Sequence, residues 1–132
     1  KLFKLMPLLI KTELKNSQIH GLGVFTLEKI SLGQTVWEHD AILDGFLHKN
    51  LILKTKYTIA KIHIEYLYPY DADIDCYIKA CDNINFLNHS SDPNLSAPTK
   101  YIHIAARDIE IGEELTVNYA DICDLAKDSL EF

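Results

Sequence analysis

The chain has 132 residues, with 13 Lys and Arg against 19 Asp and Glu, for a formal charge of −6 with its six histidines neutral. That balance argues against direct nucleic-acid binding, and 48% hydrophobic with 24% charged residues excludes the disordered, collagen-like and disulfide-framework classes. A chain of this length reads as one domain over 1–132, a soluble protein able to bury about two-thirds of its unfolded surface in its own core.

The predicted elements are short and divided by turns. Residues 8–14 are β-prone, and after a polar turn at 15–18 the segment 24–28 reads as the neighbouring strand. A turn at 31–33 leads into a strand at 34–38. Between Gly45 and Tyr68 the apolar positions 46, 47, 51, 52 and 53 suit a helix, while the β-branched run at 57–64 pulls the other way. Residues 76–79 form a strand candidate, 83–87 one helical turn, 102–106 a strand, 108–112 a turn and 114–119 a strand. The segment 121–127 reads as a short helix with Asp121 as its N-cap. Many short strands and few helices predict a β-rich α+β domain.

Three cysteines, Cys76, Cys81 and Cys123, are an odd number without a Cys-x-x-Cys pair, so a disulfide framework and a four-cysteine zinc site are both disfavoured. An intracellular, reducing compartment is expected. The apolar stretch at 5–10 is broken by Pro7 and falls far short of the roughly 20 residues of a membrane helix, so no membrane span and no secretory signal are expected.

Three segments hold candidate chemistry. In His20-Gly-Leu-Gly-Val-Phe25, two glycines flank one residue, so backbone can approach a ligand without Cβ atoms in the way; a plain hairpin turn is the alternative. In Asn85-Phe-Leu-Asn-His-Ser-Ser-Asp-Pro-Asn94, an apolar pair delivers Asn88 and His89 together, offering donors and acceptors to a polar ligand; an Asx-turn bonding its own backbone is the alternative. In Ile111-Gly-Glu-Glu-Leu-Thr-Val-Asn-Tyr119, a glycine turn feeds a strand that ends on a tyrosine, which core packing would also explain. The series Asp71-x-Asp73-x-Asp75 has the opening spacing of a calcium loop, but Cys76 stands where that loop needs Gly and Asp82 closes it, so a solvated acidic turn is expected. No metal-ligand pattern involves His39, His48 or His63, and no metal site is expected.

Taken in this order, the three segments resemble the SET-domain protein lysine methyltransferases, closest to small free-standing bacterial or viral members, over about residues 8–120. Ala105-Ala-Arg-Asp-Ile-Glu-Ile-Gly-Glu-Glu114 also matches the family's approach to its last motif. The resemblance implies a β-clip fold of short strands with a knot-like C-terminal crossing. It implies S-adenosylmethionine as cofactor, with S-adenosylhomocysteine as product. Gly21, Leu22, Gly23, Asn88 and His89 would hold that cofactor, and Tyr119 would stand beside the transferred methyl. Tyr66 and Tyr77 are the implied walls of a lysine channel, with Tyr68 and Tyr70 in reserve. Val117 joins them, standing where many members carry Phe or Tyr.

Asn85 and Ser91 replace the Arg and Cys common at their positions, and no Cys-x-Cys tail follows Tyr119. The channel would then be closed by the cap segment 121–132, by further residues or by a second subunit. Within 121–132, Ile122, Leu125, Ala126 and Leu130 recur at near-helical spacing. The implied partner is a protein or peptide with an exposed lysine, a basic tail being favoured by the acidic surface; a homodimer is compatible. The resemblance places the protein in the cytoplasm if bacterial, and allows the nucleus if eukaryotic or viral. A catalytically weak SET fold serving as an interaction module is the rival reading.

Overall fold

The computed structural model describes residues 8–127, with side chains outside the description at 60, 66, 126 and 127. Strands β1 (Thr12–Asn16), β2 (Leu22–Thr26) and β3 (Thr35–Glu38) come first, followed by β4 (Gly45–His48). Helices α1 (Lys49–Lys54) and α2 (Thr58–Leu67) precede β5 (Tyr70–Asp71) and β6 (Cys76–Lys79). A 3-10 turn at Asn83–Phe86 leads to β7 (Asn88–His89), β8 (Leu95–Thr99), β9 (Ile102–Ala105) and β10 (Glu114–Val117). Helix α3 (Tyr119–Ile122) and a second 3-10 turn (Asp124–Lys127) follow.

Among the described residues three small sheets form, ordered β1-β2-β10-β7, β3-β9-β8 and β4-β6-β5. The first hairpin is closed by Ser17, whose backbone N–H donates to Gly21 O at 2.8 Å while its hydroxyl accepts from the N–H groups of Ile19 and His20. Gly21 has φ of +46°, a left-handed conformation that a side chain would strain. Turns at Gly33 and Gly112, also at positive φ, lead into β3 and β10 as the sequence predicts.

Several elements differ from their sequence reading for local physical reasons. The first strand begins at Thr12, because Leu8 is drawn into a bridge with Trp37 and Leu9 N–H bonds Val36 O. The predicted helix over Gly45–Tyr68 splits. Gly45–His48 pairs antiparallel with β6, and His48 Nδ1 then caps α1 by accepting from Asn50 N–H. Helix wins over the β-branched run in α2, although Ile59 and Ile62 stay exposed. β10 ends at Val117, and Tyr119 opens α3. The cap of that helix is Asn118, whose Oδ1 accepts from Ala120 N–H, so Asp121 lies inside the helix.

The main core gathers Val24, Ile30, Val36, Trp37, Leu87, Leu95, Ile109, Leu115, Val117 and Ile122. Each fully buried large aliphatic among them contributes about 1.5–3 kcal/mol by leaving water. A second, smaller cluster unites Ile52, Tyr70 and Tyr77, with Leu47, Ile64 and Tyr68 against it; Cys123 packs on both clusters. All three cysteines are free. Among the described residues no helix is long and apolar enough to cross a membrane, and no His, Cys, Asp or Glu side chains group to hold a metal ion.

His103 on β9 sits opposite Trp37 of β3, ring to ring at 5.0 Å, and is only 4% exposed. Burial pushes its imidazole down from 6.5 to about 4. The unfolded chain therefore takes a proton in this window that the folded chain refuses, so stability present at neutral pH drains away as pH falls from about 6.5 toward 4. The full effect is about 3 kcal/mol. Urea unfolding between about pH 7 and pH 4.5 should show this slope in the parent and lose most of it in His103→Phe. Equal slopes would remove His103 as the cause.

Candidate active site

The three segments far apart in sequence become adjacent strands of one sheet. β10 lies between β2, which it meets antiparallel at Glu114↔Phe25 and Leu115↔Val24, and β7, which it meets in parallel at Thr116↔Asn88 and Val117↔His89. Where the resemblance implies a knot-like crossing, β7 is laid against β10 and the chain beyond β10 turns back over it. Ser90 N–H donates to Val117 O at 3.0 Å, Tyr119 N–H donates to His89 Nδ1 at 3.1 Å, and Tyr119 OH donates to Leu87 O at 2.6 Å. The His89 and Tyr119 rings lie 5.2 Å apart.

Each asparagine of 85–94 binds backbone outside its own turn, unlike the local Asx-turn alternative. Asn85 clamps the end of β6 by accepting from Ala80 N–H and donating to Ala80 O and Asp82 O. Asn94, 4% exposed, accepts from Thr116 N–H at 2.8 Å and donates to Glu114 O at 2.7 Å, tying β10 to the loop. Asn88, 7% exposed, directs its amide N–H groups to His20 O at 3.0 Å, Leu22 O at 3.1 Å and Glu114 Oε1 at 3.0 Å. Three acceptors around one NH₂ settle which end of the amide faces the glycine segment. The carbonyl oxygen faces the other way, available to a donor such as an ammonium.

The Gly21-Leu22-Gly23 segment is the exit of the first hairpin, so the structural alternative holds locally, while Asn88 ties it to the other motifs. Gly23 has no need of positive φ. A Cβ there would lie 1.8 Å from Glu114 Oε1, so glycine is required because a carboxylate occupies the space of its side chain. Sequence reasoning missed Glu114 and Asn94 as organisers of the site. Both lie in the quoted motifs, but only strand register brings their side chains to their partners.

Of the tyrosines that the resemblance implies as channel walls, Tyr77 is 5% exposed, and its ring meets that of the reserve candidate Tyr70 at 5.1 Å in the smaller core cluster. Burial first, then the charges of Glu65 and Cys123, pushes the Tyr77 phenol upward. The Tyr70 phenol is raised to about 12, first by its hydrogen bond to Asp75, then by burial. Tyr66 lies on α2 with its side chain outside the described residues. Val117 has no exposed surface and packs in the main core.

The acidic turn is less solvated than its sequence implies. Asp71 is buried, accepts from Tyr101 OH and Asp73 N–H, and lies 3.7 Å from Lys100 Nζ. Lys100 also meets Asp124 at 3.3 Å, and Asp124 accepts from Ala72 N–H at 2.7 Å. Burial works to lower the Lys100 ammonium, but its hydrogen bond to Asp124 and the charges of Asp124 and Asp71 outweigh that and leave it raised. This clasp, with Tyr70 N–H on Cys123 Sγ, fixes the chain after α3 against β5 and the tyrosine cluster.

One continuous amphipathic helix does not form there: α3 stops at Ile122, which is buried, and Leu125 is exposed. Ala126 has no described side chain and Leu130 lies outside the described residues. Lys100→Met should lower unfolding stability by about 1–3 kcal/mol, since it strands a buried carboxylate. Asp124→Asn, able to keep the Ala72 bond, should cost less. The order of the two in denaturant titrations checks the clasp.

A sheet that joins a glycine hairpin to an Asn-His pair, with the tyrosine that opens α3 hydrogen-bonded to that histidine, defines a SET-type domain. The SET-domain family model matches residues 21–120, and the chain belongs to that family. It is 34% identical over 119 residues to the histone-lysine N-methyltransferase set1 of Dictyostelium discoideum, covering 83% of this chain but 8% of that relative. Solved structures share the fold. The Chaetomium thermophilum polycomb repressive complex 2, in an autoinhibited conformation bound to S-adenosylmethionine, matches with TM-score 0.66 at 22% identity, covering 89% of this chain and 17% of that one. The Neurospora SET protein DIM-5, a histone lysine methyltransferase, matches with TM-score 0.58 at 22% identity, covering 83% of this chain and 52% of that one.

Proposed function

We propose that this chain is a protein-lysine N-methyltransferase that uses S-adenosylmethionine. The observation that carries the reading is that Asn88 ties the Gly21 to Gly23 hairpin to the Asn88-His89 strand of the same sheet, with Tyr119, the first residue of α3, hydrogen-bonded to His89 and Leu87. The residues fit the cofactor: the space beside Gly21 is open, and Asn88 has a carbonyl oxygen turned away from the hairpin. When bound, S-adenosylmethionine supplies an electrophilic methyl on a sulfonium.

The substrate lysine, with an amine that titrates near 10.4, must first release its proton to water. With the cofactor bound, the amine's lone pair would take the methyl in line, the electron pair of the broken S–CH₃ bond staying with the departing sulfur. The alkylated ammonium can shed a proton to solvent afterwards. Tyr119, anchored through its hydroxyl to Leu87 O and through its N–H to His89, supplies a preorganised dipole at that point. The buried rings of Tyr70 and Tyr77 offer an apolar wall, which disfavours the ammonium form of a lysine lying against it.

The substrate assigned by this reading is a lysine in a basic protein tail, favoured by the net charge of −6. An intracellular site of action is supported by the free cysteines. Calorimetry with S-adenosylmethionine, followed by transfer of labelled methyl to a lysine-rich peptide mixture, tests the proposal. Binding with turnover supports it. Binding without turnover favours an interaction module, and absence of both overturns it.

A further inference from the structure

Glu114 stands out because a hydrogen bond and a close steric fit meet at one oxygen of its carboxylate. Oε1 accepts from Asn88 Nδ2 at 3.0 Å, and the same oxygen occupies the place where a side chain at Gly23 would begin, 1.8 Å from that Cβ position. The carboxylate therefore reaches from β10 over the bare backbone of β2 and touches the amide of β7. Its described hydrogen-bond partner there is neutral, so its negative charge is presented to the glycine hairpin without being cancelled by that bond.

We infer that Glu114 is a positioning and charge-recognition residue of the cofactor site, holding Asn88 with its carbonyl outward and favouring the cationic methyl donor over its neutral product. This rests on the methyltransferase reading above. S-adenosylmethionine carries a carboxylate, an ammonium and a sulfonium, for a net charge of +1, whereas S-adenosylhomocysteine has lost the sulfonium charge and is net neutral. A fixed anion beside the hairpin attracts the first more than the second. Discrimination of this kind assists turnover, because the product is released from the site that held the donor.

The positioning part follows from amide chemistry. With Glu114 in place, Asn88 faces three acceptors and cannot turn its oxygen toward them without loss. Glutamine at 114 keeps the shape and a carbonyl able to accept from Asn88, but removes the charge. Alanine removes both.

The test is calorimetry of the parent, Glu114→Gln and Glu114→Ala with each ligand, together with kcat and KM and the side-chain amide resonances of Asn88. In Glu114→Gln, S-adenosylmethionine affinity should fall about fivefold, the scale of one unit charge acting through a water-rich site, while S-adenosylhomocysteine affinity stays within about twofold. In Glu114→Ala both affinities should fall by about tenfold or more, and the Asn88 amide resonances should shift and broaden. Restoration of product affinity and of the Asn88 resonances by glutamine distinguishes positioning from general loss of structure.

Affinities for both ligands unchanged in both variants overturn the inference. An equal loss of both ligands in Glu114→Gln overturns the charge part. If the parent binds neither ligand, the methyltransferase reading fails and the charge part with it. The Asn88 resonances still decide the positioning part, which falls if they are the same in parent and Glu114→Ala.

Discussion

Tyr119→Phe should lower methyl transfer by about a hundredfold or more while leaving cofactor affinity within about twofold. The ring remains, so its packing on the main core and its tilted contact with His89 persist. What disappears is one hydroxyl, which donates to Leu87 O at 2.6 Å. Losing that bond costs about 1 kcal/mol of folding stability, too little to unfold a domain of this size. The backbone link from Tyr119 N–H to His89 is untouched, so α3 still starts where it does. A large fall in kcat at nearly constant affinity is the mark of a group acting in the transition state. Single-turnover rates with labelled cofactor check it, and unchanged rates would remove Tyr119 from the chemistry.

Asn88→Ala should weaken cofactor binding by about 1–3 kcal/mol, or roughly five- to 150-fold, and lower the melting temperature as well. The structure enlarges the reason beyond a lost ligand contact. Alanine deprives His20 O, Leu22 O and Glu114 Oε1 of a shared donor, so the hairpin that shapes the site loses its tie to β7. Asn88→Asp should be worse than alanine, because it places a second carboxylate against Glu114 and offers no N–H to the two carbonyls. Calorimetry and thermal melts of the two variants give the order. An aspartate variant that binds better than alanine would contradict this arrangement.

Deleting the chain after Tyr119 would be a poor probe of the channel wall. Ile122 is part of the main core and Cys123 bridges both clusters, so the truncation removes core packing whatever the segment does at the site. Substitutions in the Lys100 clasp separate the two effects.

The amino-acid sequence by itself determined the family, through the order and content of three motifs, and the elements whose causes are local. β6 at Cys76–Lys79, the 3-10 turn at Asn83–Phe86, β9 and the glycine turns at 33 and 112 all fall where propensity and turn chemistry place them. Tertiary structure decided the rest. β7 is two residues long and β8 contains Pro98, so neither has a periodic signal, and each exists because a neighbour supplies its partners. β4 is drawn out of a helical pattern by pairing with β6, and Asn118 displaces Asp121 as cap because β10 ends early.

The same holds inside the site. Composition shows acidic residues at 71 and 114 but not that Asp71 is buried beneath Lys100 and Tyr101, or that the Glu114 carboxylate fills the space Gly23 leaves. Propensity and turn chemistry act over a few residues and are legible along the chain. Hydrogen bonds from Asn88 to His20 and Leu22 span 68 and 66 positions, and their geometry depends on register across β2, β10 and β7, which is set only when the sheet closes.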